Sequence, residues 1–454
     1  MNKILLFYSA VISGILMAAC NIPQQLHKDP NIIILLMEDA GYHDFRFNGG
    51  LRPATPVIDS LAARGTVMTG ATVTATEDGP SRSAILCGRY QERFGCETSD
   101  DGDAQFKKET PLAAVLGKKG YSSAYIGRWH LKHMTPQECG FGHFYGYSSE
   151  EKYSCPESGS GFGNGELSTH ASGYIQNRKK GDSPFLLFVS YNRISPATPS
   201  GKIDTTTEAR KKEAVEYSVL DKGIGKILQE LEKAGAVRNT LIFFLSDNGS
   251  LYRCGYGNEE MKGFKGNTYE GGIRIPFFIT YGDRFKGQFE GAVSSLDVFA
   301  TAIAAAGIEE SSLKKSIDGE NLLPYLKGVE KGDPHKFLYW RNGDVSAIRM
   351  GDYKMIRIAG GDHRLYNLKY DSKEKEDIST VRPGILSLMM AQFQRWELEM
   401  PLPPPSGDSP RHEVDLAVTG QLMENRKPTC FTTEDLVRLK KQRNRLFRNQ
   451  SVPK

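Results

Sequence analysis

The chain has no apolar run long enough to span a membrane. Its most apolar stretch, residues 4–17, falls short of the ~20 residues that a spanning helix needs, and no later stretch approaches it. A multi-span membrane protein is therefore excluded. An excess of one charge is also missing: 58 Lys and Arg stand against 54 Asp and Glu, a balance of +4 over 454 residues. Without a basic footprint, no nucleic-acid partner is expected. Internal repeats are absent, which argues against solenoids and propellers. Cysteines are few, and none of the seven shows the close pairing of a zinc ribbon. What is present is an ordinary globular composition, 39% hydrophobic and 10% aromatic, long enough for a large domain and a smaller one.

Residues 1–3 are short and basic, residues 4–17 are apolar, and Ala18-Ala19 stand immediately before Cys20. This is the pattern of an export signal, and its small-small-Cys ending resembles a bacterial lipoprotein box. Residues 1–20 are thus expected to be a lipoprotein-type signal peptide. The protein would then be exported and held at a membrane, periplasmic or at the cell surface, only through a lipid on Cys20. Export would place Cys87, Cys96, Cys139, Cys155, Cys254 and Cys430 in an oxidising space. Bridges and isolated buried thiols both remain open.

Residues 31–37 (NIIILLM) form a continuous apolar run, the mark of a strand buried on both faces. Similar runs occupy 121–126, 185–189, 241–245 and 275–281. Helical patterns lie between them. Thr55-Pro56 and Thr110-Pro111 read as N-cap and first helical residue, and residues 207–234 carry Ile224, Ile227, Leu228 and Leu231 at helical spacing before Gly235. Alternating strands and helices predict an α/β layered domain over 31–330. Strands at 337–341, 346–349 and 353–358 and a helix at 385–398 predict a small α+β domain over 335–400. Residues 401–454 read as a Pro-rich linker and a basic helical tail, with a helix at 433–447.

In layered α/β sheets, ligands gather at the carboxyl edge of the strands. Glu38-Asp39 follow the first strand and Asp247-Asn248 follow the run at 241–245. Brought together, these oxygen donors suit calcium, or magnesium. Simple turn and capping roles would explain either pair alone.

The stretch from Met68 to Gly95 contains Pro80-Ser81-Arg82 and Gly88-Arg89-Tyr90. It resembles the signature of the formylglycine-dependent sulfatases of the alkaline-phosphatase-like superfamily. Glu38-Asp39 with Gly41-Tyr42 and Asp44, GRWHLK from Gly127, SDNG from Ser246 and KGNTYEGGIRIP from Lys265 resemble further family landmarks in the same order. The resemblance implies an alkaline-phosphatase-like α/β/α sandwich with a large mixed sheet and a small C-terminal α+β domain. It also implies sulfuric ester hydrolysis on sulfated carbohydrate or another small anionic ester. Metal-binding roles carry over to Glu38, Asp39, Asp78, Asp247 and Asn248, and catalytic or anion-binding roles to Asp78, Arg82, Arg128, His130 and Lys265.

The chain departs from that pattern where the chemistry is done. The family's oxidisable Cys or Ser falls at Asp78, where a carboxylate cannot become formylglycine. Glu38 replaces an aspartate and Arg128 a lysine, and the family's His-x-Pro-His histidines fall at Ile194 and Ala197. Arg193, beside them, reads first as a surface residue, with a place in the pocket as the alternative. Asp78 is expected to ligate a metal or pair with Arg82 rather than attack sulfur. The expected protein is a catalytically impaired sulfatase, with a non-catalytic binder of sulfated glycan as the alternative. Phosphoester or phosphonate hydrolysis would need a hydroxyl or aldehyde nucleophile, for which Thr76, two residues from Asp78, is the weak candidate.

Overall fold

The computed structural model describes residues 29–50, 53–97, 106–131, 134–148, 162–179, 181–194, 207–251, 261–361, 363–402, 410–426 and 428. The expected signal peptide with Cys20, most of the Pro-rich linker, the 433–447 helix, Ala197, and Cys155, Cys254 and Cys430 lie outside them.

The strands are β1 (Asn31–Met37), β2 (Thr66–Met68), β3 (Ala71–Thr72), β4 (Ser122–Trp129), β5 (His143–Ser148), β6 (Phe185–Tyr191), β7 (Thr240–Ser246), β8 (Phe277–Tyr281), β9 (Gly287–Phe289) and β10 (Val293–Ser294), followed by β11 (Leu338–Asn342), β12 (Val345–Met350), β13 (Tyr353–Ile358) and β14 (His363–Asn367). The principal helices are α1 (Pro56–Ala63), α2 (Asp78–Cys87), α3 (Leu112–Lys118), α4 (Asn164–Gln176), α5 (Thr207–Lys233), α6 (Asp297–Ala305) and α7 (Pro383–Glu399).

Eight strands make one sheet in the order β5-β4-β6-β1-β7-β8-β2-β9. The five from β5 to β7 are parallel, while β8 runs antiparallel to both β7 and β2. The sheet is therefore mixed, as the resemblance implied. Side chains alternate across a strand, so β1 feeds two cores. Ile32, Ile34 and Leu36 pack with Ile85 of α2, Leu116 of α3 and Phe299 of α6. Ile33, Leu35 and Met37 pack on the other face with Ile58 of α1, Leu167 of α4 and Ile224 of α5. Helices cover both faces, which explains why the central strands read as unbroken apolar runs.

The chain's last part folds as the antiparallel sheet β11-β12-β13-β14 with α7 against it. It shares its core with the larger unit: Ala84, Tyr90 and Leu296 cluster with Ile348, Phe393 and Trp396. Trp340 Nε1 donates to the Val73 carbonyl at 2.6 Å. Buried Lys354 lies 2.9 Å from Glu270 and 2.8 Å from Glu374, a second tie between the parts.

Some boundaries differ from the sequence expectation. Pro111 is the N-cap of α3 and not its first residue, because its ψ of 155° is extended. β4 runs on to Trp129, since β5 supplies pairing partners as far as Ser148. β5 and β14 were not anticipated. Cys87, Cys96 and Cys139 are buried thiols outside any disulfide, which decides the thiol reading for those three.

Candidate functional site

The site sits at the carboxyl edge of the parallel strands. The turns after β1 and β7 are bonded to each other: Asp39 N–H donates to Asp247 Oδ1 at 3.0 Å and Ala40 N–H to Ser246 Oγ at 2.9 Å. Asp39 adopts a φ of 57°, a left-handed conformation uncommon outside glycine. Such backbone strain persists where its surroundings fix it, and it clusters at functional sites. Here it turns the Asp39 carboxylate back over the end of the sheet.

Gly127 in β4 lies against β6, and a Cβ there would stand 1.9 Å from the Ser190 carbonyl oxygen. Only glycine permits that approach, which brings the Arg128 carbonyl and Ser190 Oγ to one guanidinium. Arg82, buried in α2, donates NH1 to both, at 2.8 and 2.6 Å. Its Nε and NH2 go to Asp247 Oδ2 at 2.9 and 2.8 Å.

Asp78 is the first residue of α2, where the helix dipole favours a negative charge. Lys265 Nζ donates to Asp39 Oδ1 at 2.5 Å and also to Asp78 Oδ1. The lysine is held from behind, because its own N–H bonds Ser250 O and the next N–H bonds Thr76 O. Arg128 NH1 donates to Glu38 Oε1 at 2.9 Å. His130 stands between two acids without bonding either, 3.9 Å from Glu38 and 4.0 Å from Asp78. Asn248 Nδ2 donates to Asp39 Oδ1 at 2.8 Å.

All nine residues singled out in the sequence, Glu38, Asp39, Asp78, Arg82, Arg128, His130, Asp247, Asn248 and Lys265, therefore meet in one place. Their pairings correct two expectations. Asp78 bonds Lys265 and not Arg82, whose donors are taken by Asp247, Ser190 and the Arg128 carbonyl. Arg193 keeps about a third of its side chain exposed but takes the alternative place in the pocket: it follows β6, and its NH1 donates to Asp39 Oδ2 at 3.1 Å. Its neighbour Ile194 is buried in the helix-covered core. Ser190 escaped notice in the sequence, although it lies at the end of β6 beside the Arg193 segment; Ser246 was read only as the first residue of SDNG, without its bond to the Ala40 N–H.

The electrostatics follow from crowding. Burial works against ionised Glu38, but the His130 ring, Arg128 and Arg82 outweigh it and hold the carboxyl at about 2. Burial likewise opposes ionised Asp78, and Lys265, His130 and Arg82 bring it to about 2. Burial dominates at Asp247 and, with Asp78 and Asp39 nearby, pushes it to about 7 despite Arg82. His130 is depressed to about 4 by burial and by Arg82, so its ring is neutral at pH 7.

Comparison with known proteins finds that the family model described as Sulfatase matches residues 30–308. The chain belongs to the sulfatase family. It is 30% identical over 386 residues to an uncharacterized sulfatase, YdeN, of Escherichia coli (strain K12), covering 68% of each chain. It is 28% identical over 400 residues to the N-acetylgalactosamine-6-sulfatase of Mus musculus, covering 74% of this chain and 76% of that one. Among solved structures, that of Ps i-CgsB in complex with k-i-k-neocarrahexaose superposes with a TM-score of 0.73 at 27% identity, covering 86% of this chain and 98% of that one. The alkaline-phosphatase-like fold extends to the phosphonate monoester hydrolase of Agrobacterium radiobacter, with a TM-score of 0.61 at 18% identity.

The cluster has the donors for a divalent cation. Oxygens of Asp39, Asp78 and Asp247 lie within 4.8 Å of one another, as do ligand atoms of Glu38, Asp78 and His130. Glu38 Oε2 and Asn248 Oδ1 are buried without a hydrogen-bond partner, an expensive arrangement unless something else fills their lone pairs. An all-oxygen set of this kind fits a hard ion. Among the described residues no helix is long and apolar enough to cross a membrane.

Proposed function

We propose that this sulfatase-family protein holds calcium, or magnesium in its place, and engages sulfated carbohydrate, but has lost the formylglycine route to hydrolysis. The observation that carries the reading is the Asp78 to Lys265 ion pair. By the match of Pro80-Ser81-Arg82 to the family motif, Asp78 stands where an oxidisable Cys or Ser is required. Its carboxylate is a poor nucleophile, and it already neutralises the lysine that would otherwise meet a sulfate oxygen.

Glu38, Asp39, Asp78, Asp247 and Asn248 would hold the cation, which when bound supplies Lewis-acid polarisation of a sulfate oxygen. The chain's own groups do the rest. Arg128 and Arg193, each about two-thirds buried, bring positive charge to the rim that an incoming anion would approach. Arg82 fixes Asp247 and the ends of β4 and β6, so its part is positioning. The sulfated ligands named for relatives, such as the carrageenan oligosaccharide bound to Ps i-CgsB, support a carbohydrate. The pattern of residues 1–20 supports export with a lipid on Cys20.

A second reading, slow hydrolysis by an activated water, is favoured by His130. Its ring is neutral at pH 7, and its buried Nε2 has no partner, so it can accept a proton. One experiment separates the readings: sulfate release from a panel of sulfated sugars by the parent, by Asp247→Ala, and by Asp78→Cys co-expressed with a formylglycine-generating enzyme. Turnover gained only in the Cys variant supports the proposal. Turnover by the parent that is lost in Asp247→Ala overturns it in favour of the second reading.

A further inference from the structure

At the opposite end of α2 from Asp78 lies a second cavity, of about 220 Å³. About 15 Å of helix separates the two, at 1.5 Å per residue. Val115, Phe299, Ile308, Leu313 and Ile317 give it apolar walls, and five cations line it as well: Arg89, Lys118, Lys119, Lys314 and Lys315. Glu109 is the one acid among the lining residues, and it is already shared between Arg89 at 3.1 Å and Lys315 at 2.7 Å.

We propose that this cavity binds a small organic anion with an apolar body and a single acidic head, independently of the carboxylate cluster. Five cations against one committed carboxylate leave a positive excess that the fold does not neutralise locally. Glu309 and Glu310 are on the same loop but do not line the cavity, and Asp318 is engaged by Arg93 at 2.7 Å. The buried Nε of Arg89 has no acceptor, which adds to the surplus of donors.

Helix-end stabilisation accounts for only part of this charge. Lys118 lies in the last turn of α3, where a cation complements the carbonyl end. That role does not extend to Lys314 and Lys315 on the loop after α6. The combination selects a ligand class. A bare inorganic anion would leave the five apolar side chains unused, and a neutral apolar molecule would leave the cations unanswered. An aromatic or alicyclic carboxylate satisfies both, with the ring against Phe299 and Val115 and the head at the lysines.

The test is calorimetric titration of the full chain with naphthalene-2-carboxylate, with naphthalene-2-carboxamide and inorganic sulfate as controls. One equivalent of the carboxylate is expected to bind, with both controls at least about tenfold weaker, the size of one lost charge-assisted contact. Ser312→Trp, which fills the mouth from an exposed position, is expected to abolish binding. Lys118→Gln with Lys119→Gln, also exposed, is expected to weaken it at least tenfold while lowering the melting temperature by no more than a few degrees, the share owed to the helix end. Absence of binding at millimolar probe overturns the proposal. So does binding that survives Ser312→Trp, and so does binding lost in Lys265→Ala, which would locate the probe in the carboxylate cluster.

Discussion

Replacing Asp78 by Asn is the sharpest probe of the proposed function, because it should move two affinities in opposite directions. The substitution keeps shape and removes one charge. Ligand oxygens of the cluster lie within 4.8 Å of one another, so a sulfate oxygen that reaches Lys265 comes about that close to Asp78. At an effective dielectric near 20, two unit negative charges at this separation repel by about 3–4 kcal/mol. Arg82 and a bound cation screen part of that repulsion, so the expected gain is smaller. Affinity for a sulfated oligosaccharide at saturating calcium should rise by between about tenfold, or 1.4 kcal/mol, and a few hundredfold. Calcium affinity should fall, since it grows with ligand charge. Calorimetry with calcium first and a sulfated carrageenan oligosaccharide second reads both, with a thermal melt to confirm folding. If Asp78→Asn leaves oligosaccharide affinity unchanged or lowers it, Asp78 is not the group that opposes the anion, and the reasoning fails.

Three further outcomes are expected. Arg82→Ala leaves Asp247 buried without its guanidinium and should cost about 3–5 kcal/mol in urea unfolding. Calcium binding should strengthen from pH 6 to pH 8, because Asp247, pushed to about 7 by burial and by Asp78 and Asp39, must lose its proton to ligate. Comparing binding heats in buffers of different ionisation enthalpy counts that proton, and Asp247→Asn should remove the pH dependence. Acid should destabilise the fold in a defined window. Glu38 and Asp78 are held at about 2 against ordinary values of 4.5 and 3.8, so their contribution is complete above about pH 4.5 and lost as pH falls toward 2. His130, lowered from 6.5 to about 4, adds a loss below pH 6.5, because the unfolded chain takes up a proton that the folded ring refuses. Melting temperatures between pH 7 and pH 3 should show a shallower fall in Glu38→Gln than in the parent.

The fold was legible where one physical signal dominated. β1, β6 and β7 are buried on both faces, so their sequences are unbroken apolar runs, and the capped helices between them carry Pro and Gly at their ends. β5 and β14 were missed for the opposite reason. HFYGYS and HRLYN mix glycine, histidine and arginine with aromatics, and they become strands only through the neighbours that pair with them. The site divides in the same way. Which residues belong to it could be read from local motifs, but who bonds whom could not. The Lys265 contacts with Asp39 and Asp78 span 226 and 187 positions of sequence, and Arg193 reaches Asp39 across 154. Such pairings are set by the order of the strands, which no local spacing encodes. The left-handed turn at Asp39 is equally silent, since an aspartate gives no sign of the backbone forced on it by bonds to β7.

The charge balance of the site accommodates the Asp78 carboxylate. With Asp247 deprotonated, as ligation requires, Glu38, Asp39, Asp78 and Asp247 face Arg82, Arg128, Arg193 and Lys265, four acids against four permanent cations, with His130 neutral. Without Asp78 the same set would carry one cation in excess, a resting attraction for any anion. With it, the protein's own charges compensate one another, and anion capture depends on a further positive charge. A divalent ion held by this cluster would supply that charge and leave an excess of about two. Ligand and cation then favour each other by the same factor, as linkage requires. On the proposed reading Asp78 would do more than replace a nucleophile: it would make the pocket's attraction for sulfate conditional on the metal.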